Sequence, residues 1–187
     1  MSTDYISYKD TLYFSDFICD YLEQNSTVSN FYSTYTNIEN FKKQLDKKSN
    51  NYNHKYRSIV VEALKDQYKG FRISKQTQEH ITALEKQTTF TVTTGHQLNL
   101  FSGPLYFLYK IISTLNLTKA LKQNYPEYDF VPIYWMATED HDFEEINFFK
   151  FKGKKIIWNA QSKGAVGDIS TQGLEKVFDV FSKQLGV

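Results

Sequence analysis

Two stretches hold residue types suited to chemistry: Gly95-His96-Gln97, and Asp140-His141-Asp142 within the acidic run from Glu139 to Glu145. In the first, glycine lets an anionic ligand approach the backbone, and His96 can donate a hydrogen bond to phosphate or to a developing negative charge. Gln97 and the backbone near Gly103 extend this candidate anion site. Gly103-Pro104 opens a helix, whose free N–H groups and dipole favour phosphate or carboxylate. In the second stretch the side chains offer general acid–base groups, metal ligands, or partners for a substrate amine or hydroxyl. Structural roles compete with both. A turn glycine beside a satisfied histidine explains the first, and an acidic helix N-terminus is the better account of Glu144 and Glu145. One cysteine and scattered histidines give no tetrahedral ligand spacing, so no metal site is expected.

The elements that must position these residues are legible from periodicity. Phe90 and Val92 alternate with threonines, which predicts a strand that Gly95-His96-Gln97 then interrupts. Leu105, Leu108, Ile111, Ile112 and Leu115 predict a helix from Pro104 to about Asn124, stopped by Tyr125-Pro126-Glu127. Phe130 to Met136 reads as a strand covered on both faces, with Pro132 near its start. Strand, helix and strand make a βαβ unit, which brings His96 and the residues after Met136 to one end of a parallel sheet, where ligands of open α/β folds bind.

Upstream, helices are expected over Asp10 to Gln24, from Ile38 through Leu45, over Tyr56 to Leu64 with Gly70 as a C-cap, and over Lys75 to Lys86. Asn25 to Asn37 and Lys47 to Asn51 read as connections, and His54 and His80 as exposed helical residues. Downstream, Phe148 to Trp158 suggests a hairpin around Lys152-Gly153-Lys154, one lysine of which could reach a nearby phosphate site. Gln161 to Gly173 reads as a loop, and Leu174 to Leu185 as an amphipathic helix. The implied domains are a helical region over 1–88, a βαβ unit over 89–147 and the start of a connecting segment over 148–187.

The 187 residues suffice for one ordinary domain, and a formal net charge of +1 gives no sign of a nucleic-acid binder. No apolar run is long enough for a membrane span or a leader peptide. Cys19 stands alone and reads as a packed thiol, which fits the cytoplasm. Aromatics are abundant, with 15 Phe and 14 Tyr, and those in polar surroundings such as Phe31, Tyr32 and Tyr35 suggest a surface that awaits a partner. The phosphate-binding GxxxxGK[ST] loop, the dinucleotide GxGxxG and the GxSxG elbow are absent, which removes the commonest α/β enzymes.

Taken together, TTGHQLNLFSGPLYFLYKI and VPIYWMATEDHDFEEIN resemble the N-terminal part of the bacillithiol biosynthesis cysteine-adding enzyme family. The resemblance covers the whole chain and implies an α/β fold: an incomplete, Rossmann-like parallel sheet similar to the core of class I aminoacyl-tRNA synthetases and nucleotidyltransferases. Gly95-His96 resembles the second half of their HxGH signature, with Thr93 in place of the first histidine. The resemblance further implies a ligase that joins the carboxyl group of cysteine to the amine of glucosaminyl-malate, with a nucleotide such as ATP suspected. His96 and the backbone near Gly103 would then face phosphate, and Asp140, His141 or Asp142 would orient the amine or take its proton. Family members are longer, so the chain is expected to be an N-terminal fragment, inactive alone, with any homodimer formed through a region it lacks. Two other readings remain: a nucleotidyltransferase with another acceptor, and a non-catalytic interaction domain.

Overall fold

β-branched and aromatic residues at alternate positions build the sheet that carries the site. In the computed structural model, which describes residues 3–101, 103–160 and 163–186, the chain divides into two compact units, Met1–His54 and Lys55–Val187. Gln161 and Ser162 of the expected loop lie outside the described residues.

In the first unit, α1 (Asp16–Leu22) begins where the Ser15 hydroxyl accepts from the Ile18 amide. That cap, with Leu12 in a left-handed conformation (φ 55°), is why the helix is shorter than the expected Asp10 to Gln24. Cys19 is buried on it, as a packed thiol should be. The expected loop from Asn25 contains a 3₁₀ turn, Ser26–Phe31. Its aromatics pack on α1, with Phe31 on Phe17 at 5.3 Å and Tyr32 on Tyr21 at 5.1 Å between ring centres. α2 (Phe41–Asn51) runs through the polar stretch expected to be a connection. The Lys42–Asp46 pair and Lys48 in the last turn, where the helix dipole favours a cation, sustain it. His54 sits in the turn that follows, not on a helix, and is half-buried.

In the second unit, α3 (Tyr56–Gln67) and α4 (Lys75–Ala83) precede β1 (Thr89–Gln97), α5 (Leu105–Asn124) and β2 (Asp129–Ala137). α3 ends three residues before Gly70, which follows its cap in a left-handed conformation. His80, on α4, is half-buried rather than exposed. β1 and β2 pair in parallel from Thr89↔Asp129 to Gln97↔Ala137, as the βαβ reading requires. Alternation along β2 then assigns its faces. Val131 and Ile133 pack with Val61, Ile81 and Leu84 of the α3–α4 side, whereas Tyr134 meets Phe107 of α5 at 5.5 Å. Two expectations are corrected here. Pro132 pairs with Val92 in mid-strand; β1 is its single neighbour among the described residues, so the missing N–H is tolerated at an edge. The strand is also covered only in its first half, since Trp135 and Met136 are 60% and 57% exposed.

Arg57 ties the entry to β1. Its guanidinium donates to the carbonyl oxygens of Leu84 (2.9 Å), Thr89 (3.0 Å) and Gln87 (3.4 Å). Arg57→Met should therefore lower the unfolding free energy by about 2 kcal/mol in urea titrations, because buried carbonyls lose a charged donor. Arg57→Lys should recover only part of it, since one ammonium does not span three acceptors.

After β2 come a four-residue turn of helix, α6 (Phe143–Ile146), the hairpin β3 (Phe148–Phe151) and β4 (Lys154–Ile157), and α7 (Leu174–Leu185). Left-handed Lys152 and Gly153 make the tight turn expected between the two strands. Phe143, Ile146, Ile156, Trp158 and Val177 form their shared core with Leu100.

Candidate functional site

The three residues expected to interrupt β1 are its last three paired positions. The parallel register places His96 opposite Met136, on the α5 face of the sheet, and Gln97 on the other face. His96 is boxed in. Its Nε2 lies 2.8 Å from the Tyr106 hydroxyl, its Nδ1 lies 2.9 Å from Asn99 Nδ2, and its ring meets Phe107 edge-on at 5.8 Å. Lys110 Nζ donates to the Gly95 carbonyl at 2.5 Å and ties α5 to the same strand end.

Beside this cluster opens a cavity of about 590 Å³. His96, Gln97, Asn99, Gly103 and Tyr106 form its polar wall, Glu145 and Lys150 its charged rim, and Phe148, Phe149, Phe151 and Phe181 its apolar side. Pro104 is the N-cap of α5 and makes no side-chain cap; the Phe107 amide donates to the Pro104 carbonyl at 2.9 Å, so among the described residues it is the Leu105 and Tyr106 amides that this 20-residue helix can offer a ligand. The amide of Gly103 itself donates to the Leu100 carbonyl at 3.2 Å, so Gly103 contributes room rather than a hydrogen.

The acidic segment lies beyond Gln97. That side-chain amide donates to Glu145 Oε2 at 3.1 Å, and its proximity also favours the charged form of Asp140. The Gln97 side-chain amide, joined by the Asp142 amide at 3.2 Å, holds the Asp140 carboxyl below the ordinary carboxylate range. Loop pairing fixes the backbone, with the Val166 amide on the Asp140 carbonyl at 2.7 Å and the Gly167 amide on that of Thr138 at 2.9 Å. His141 and Asp142 are exposed and, like Asp140, do not line the cavity. The structure thus groups His96, Gln97 and Gly103 on the cavity, leaves Gly95 off it in the strand pair opposite Trp135, and reaches the acidic segment through Gln97. Among the described residues no three His, Cys, Asp or Glu side chains gather to hold a metal ion, and no helix is long and apolar enough to cross a membrane.

A pH titration follows from Asp140. Its folded-state pKa lies below the unfolded value of about 4, so its contribution to stability is present above that value and lost as pH falls through the lowered one. The Asp140 carboxyl carbon should titrate by NMR below an ordinary aspartate, and Gln97→Ala should move the midpoint up. A midpoint unmoved by that substitution would remove Gln97 as the cause.

Periodicity did not mark Asn99, Tyr106, Glu145 or Lys150 as site residues. Tyr106 reads in sequence as helix surface and Glu145 as an N-terminal charge. Both readings hold, with Tyr106 54% exposed on α5 and Glu145 in the first turn of α6; the structure adds that they line one cavity with His96 and Gln97. The one available signal was local: Asn99 follows His96 by three residues, and Tyr106 stands in the first turn after Gly103-Pro104.

A model of the family described as Bacillithiol biosynthesis BshC, N-terminal Rossmann-like domain, matches residues 1–187. Similar relatives include a protein of Flavobacterium psychrophilum named as a cysteine ligase, BshC, 60% identical over 188 residues and covering 100% of this chain. One of the same name from Flavobacterium johnsoniae is 56% identical over 186 residues, also covering 100% of this chain. Another, from Cytophaga hutchinsonii, is 39% identical over 178 residues, covering 95% of this chain and 34% of its own length. The chain spans 35% of the length of the first two relatives.

Proposed function

Because the chain belongs to the bacillithiol biosynthesis BshC family through its Rossmann-like N-terminal domain, we propose that it is the part of a cysteine ligase that holds the anionic end of an activated cysteine. The reaction joins the cysteine carboxyl group to the amine of glucosaminyl-malate. The observation that carries this reading is the cavity where the His96–Tyr106 pair meets the uncapped start of α5.

Carboxylate and amine do not condense favourably in water, so the carboxyl group must enter activated. The residues fit an anionic group: hydroxyl and amide donors on one wall and the Lys150 cation on the rim, with phenylalanines that exclude water from the opposite side. A nucleotide of the ATP class would supply the activation, with Tyr106, backed by His96, and the first amides of α5 holding its phosphate. Asp140, a carboxylate at the cavity end of β2 beside Gln97, is suited to orient the incoming amine or to take its proton, with His141 and Asp142 beside it. The reading places the protein in the cytoplasm, in keeping with the buried free thiol of Cys19, and assigns any pairing of full-length chains to residues beyond these.

The test uses a chain of full family length that carries this domain, incubated with cysteine, glucosaminyl-malate and ATP and followed by mass spectrometry. The expected product is the cysteinyl amide. Transfer of a nucleotidyl group to another acceptor, with no amide formed, would favour a nucleotidyltransferase instead.

A further inference from the structure

The hydrogen bonds around His96 decide which group can touch the anion, and we propose that it is the Tyr106 hydroxyl, with Asn99 as the positioning residue that turns the Tyr106 proton outward. The inference rests on the reading that this cavity holds an anion. Asn99 Nδ2 lies 2.9 Å from the carbonyl oxygen of Gln97 and 2.9 Å from His96 Nδ1. A carbonyl only accepts, so the amide must present its nitrogen to Gln97, which fixes its orientation. The other hydrogen of that NH₂ group lies on the side of Nδ1, and the Gln97 carbonyl stands 3.0 Å from the same nitrogen; Nδ1 either accepts from Asn99 or donates to Gln97, and in the proposed arrangement it accepts. An imidazole that accepts at Nδ1 carries its hydrogen on Nε2, and Nε2 is 2.8 Å from the Tyr106 hydroxyl.

Tyr106 therefore accepts from His96, and its single hydrogen is free to turn elsewhere. Its side chain lines the cavity and is 54% exposed. Both nitrogens of His96 are engaged, so the imidazole cannot reach a ligand without giving up a partner. Its effect passes through Tyr106. Gly103 keeps the arrangement in place: a Cβ there would lie 3.0 Å from Asn99 Cβ and 3.2 Å from Cγ, at a φ of +61° that side chains rarely adopt.

The test is made on this chain, uniformly labelled with ¹⁵N, using long-range ¹H–¹⁵N spectra of His96 at mildly alkaline pH and titration with inorganic phosphate. The expected tautomer is Nε2–H. In Asn99→Ala the competing contact between Nδ1 and the Gln97 carbonyl, 3.0 Å apart, should take over and move the hydrogen to Nδ1. Tyr106 would then donate inward, and phosphate binding should weaken about 10- to 100-fold, as for a lost hydrogen bond to a charged group. Tyr106→Phe should weaken binding to the same degree and leave the fold intact. Phosphate that binds and perturbs His96 while the tautomer is Nδ1–H, or while Tyr106→Phe binds equally well, overturns this inference and spares the anion site. Phosphate that leaves the His96 and Tyr106 signals unmoved overturns the anion site, and the inference with it.

Discussion

His96→Ala in a chain of full family length is expected to lower ligase turnover by about 10²–10³, the usual loss when one preorganised donor to a developing negative charge is disabled, here the Tyr106 hydroxyl that His96 orients. The substitution does more than delete a ring. It strips the Tyr106 hydroxyl and the Asn99 amide of the partner that orients each of them. The loss should appear mainly in kcat, because orientation of a donor counts most where charge develops. Urea unfolding of the variant separates this from damage to the fold, as His96 sits at the strand end, away from the core around Val61 and Val131. Unchanged turnover would take His96 out of the mechanism.

Gly95→Ala should destabilise the second unit by about 1–3 kcal/mol, as overpacking commonly does. A Cβ at position 95 would stand 2.9 Å from the Trp135 carbonyl oxygen and 3.0 Å from Trp135 Cβ, across the parallel pair. Backbone cannot give way there without opening the ladder next to His96. The prediction also separates two uses of this glycine. If Gly95 serves strand pairing, the alanine variant loses thermal stability first and ligand affinity only as a consequence. If it serves close approach of a ligand to the backbone, affinity falls while stability holds. Thermal unfolding alongside phosphate titration distinguishes them.

The contrast at Gly95 shows where sequence patterns carry and where they stop. The parallel pairing of β1 with β2 was legible because a threonine-rich alternating run, a long apolar-faced helix and a second apolar run follow in immediate succession. Periodicity could not show that the strand continues through Gly95-His96-Gln97. Those three residues look like a turn when read alone, and only the facing Ala137, Met136 and Trp135 extend the ladder over them. The polar end of α2 was missed for a related reason: without apolar residues to mark a face, Lys47 to Asn51 gives no periodic signal, although lysine is a good helix former.

The candidate site divides the same way. His96, Gln97 and Gly103 were legible because one motif carries them, and the structure sets them on one cavity wall. Glu145 and Lys150 are far from that motif in sequence and come to the rim through α6 and β3. The link from Gln97 to Asp140 and Glu145 depends on the two faces of one strand end, which no local pattern encodes.

The central claim is that the His96–Tyr106 cavity holds the anionic end of the activated cysteine. A crystal structure of a full-length chain with cysteine, glucosaminyl-malate and ATP bound tests it most directly. The account predicts an anionic group within hydrogen-bonding distance of the Tyr106 hydroxyl, over the first turn of α5. Ligands bound with their anionic groups elsewhere, and this cavity left empty beside them, would contradict it.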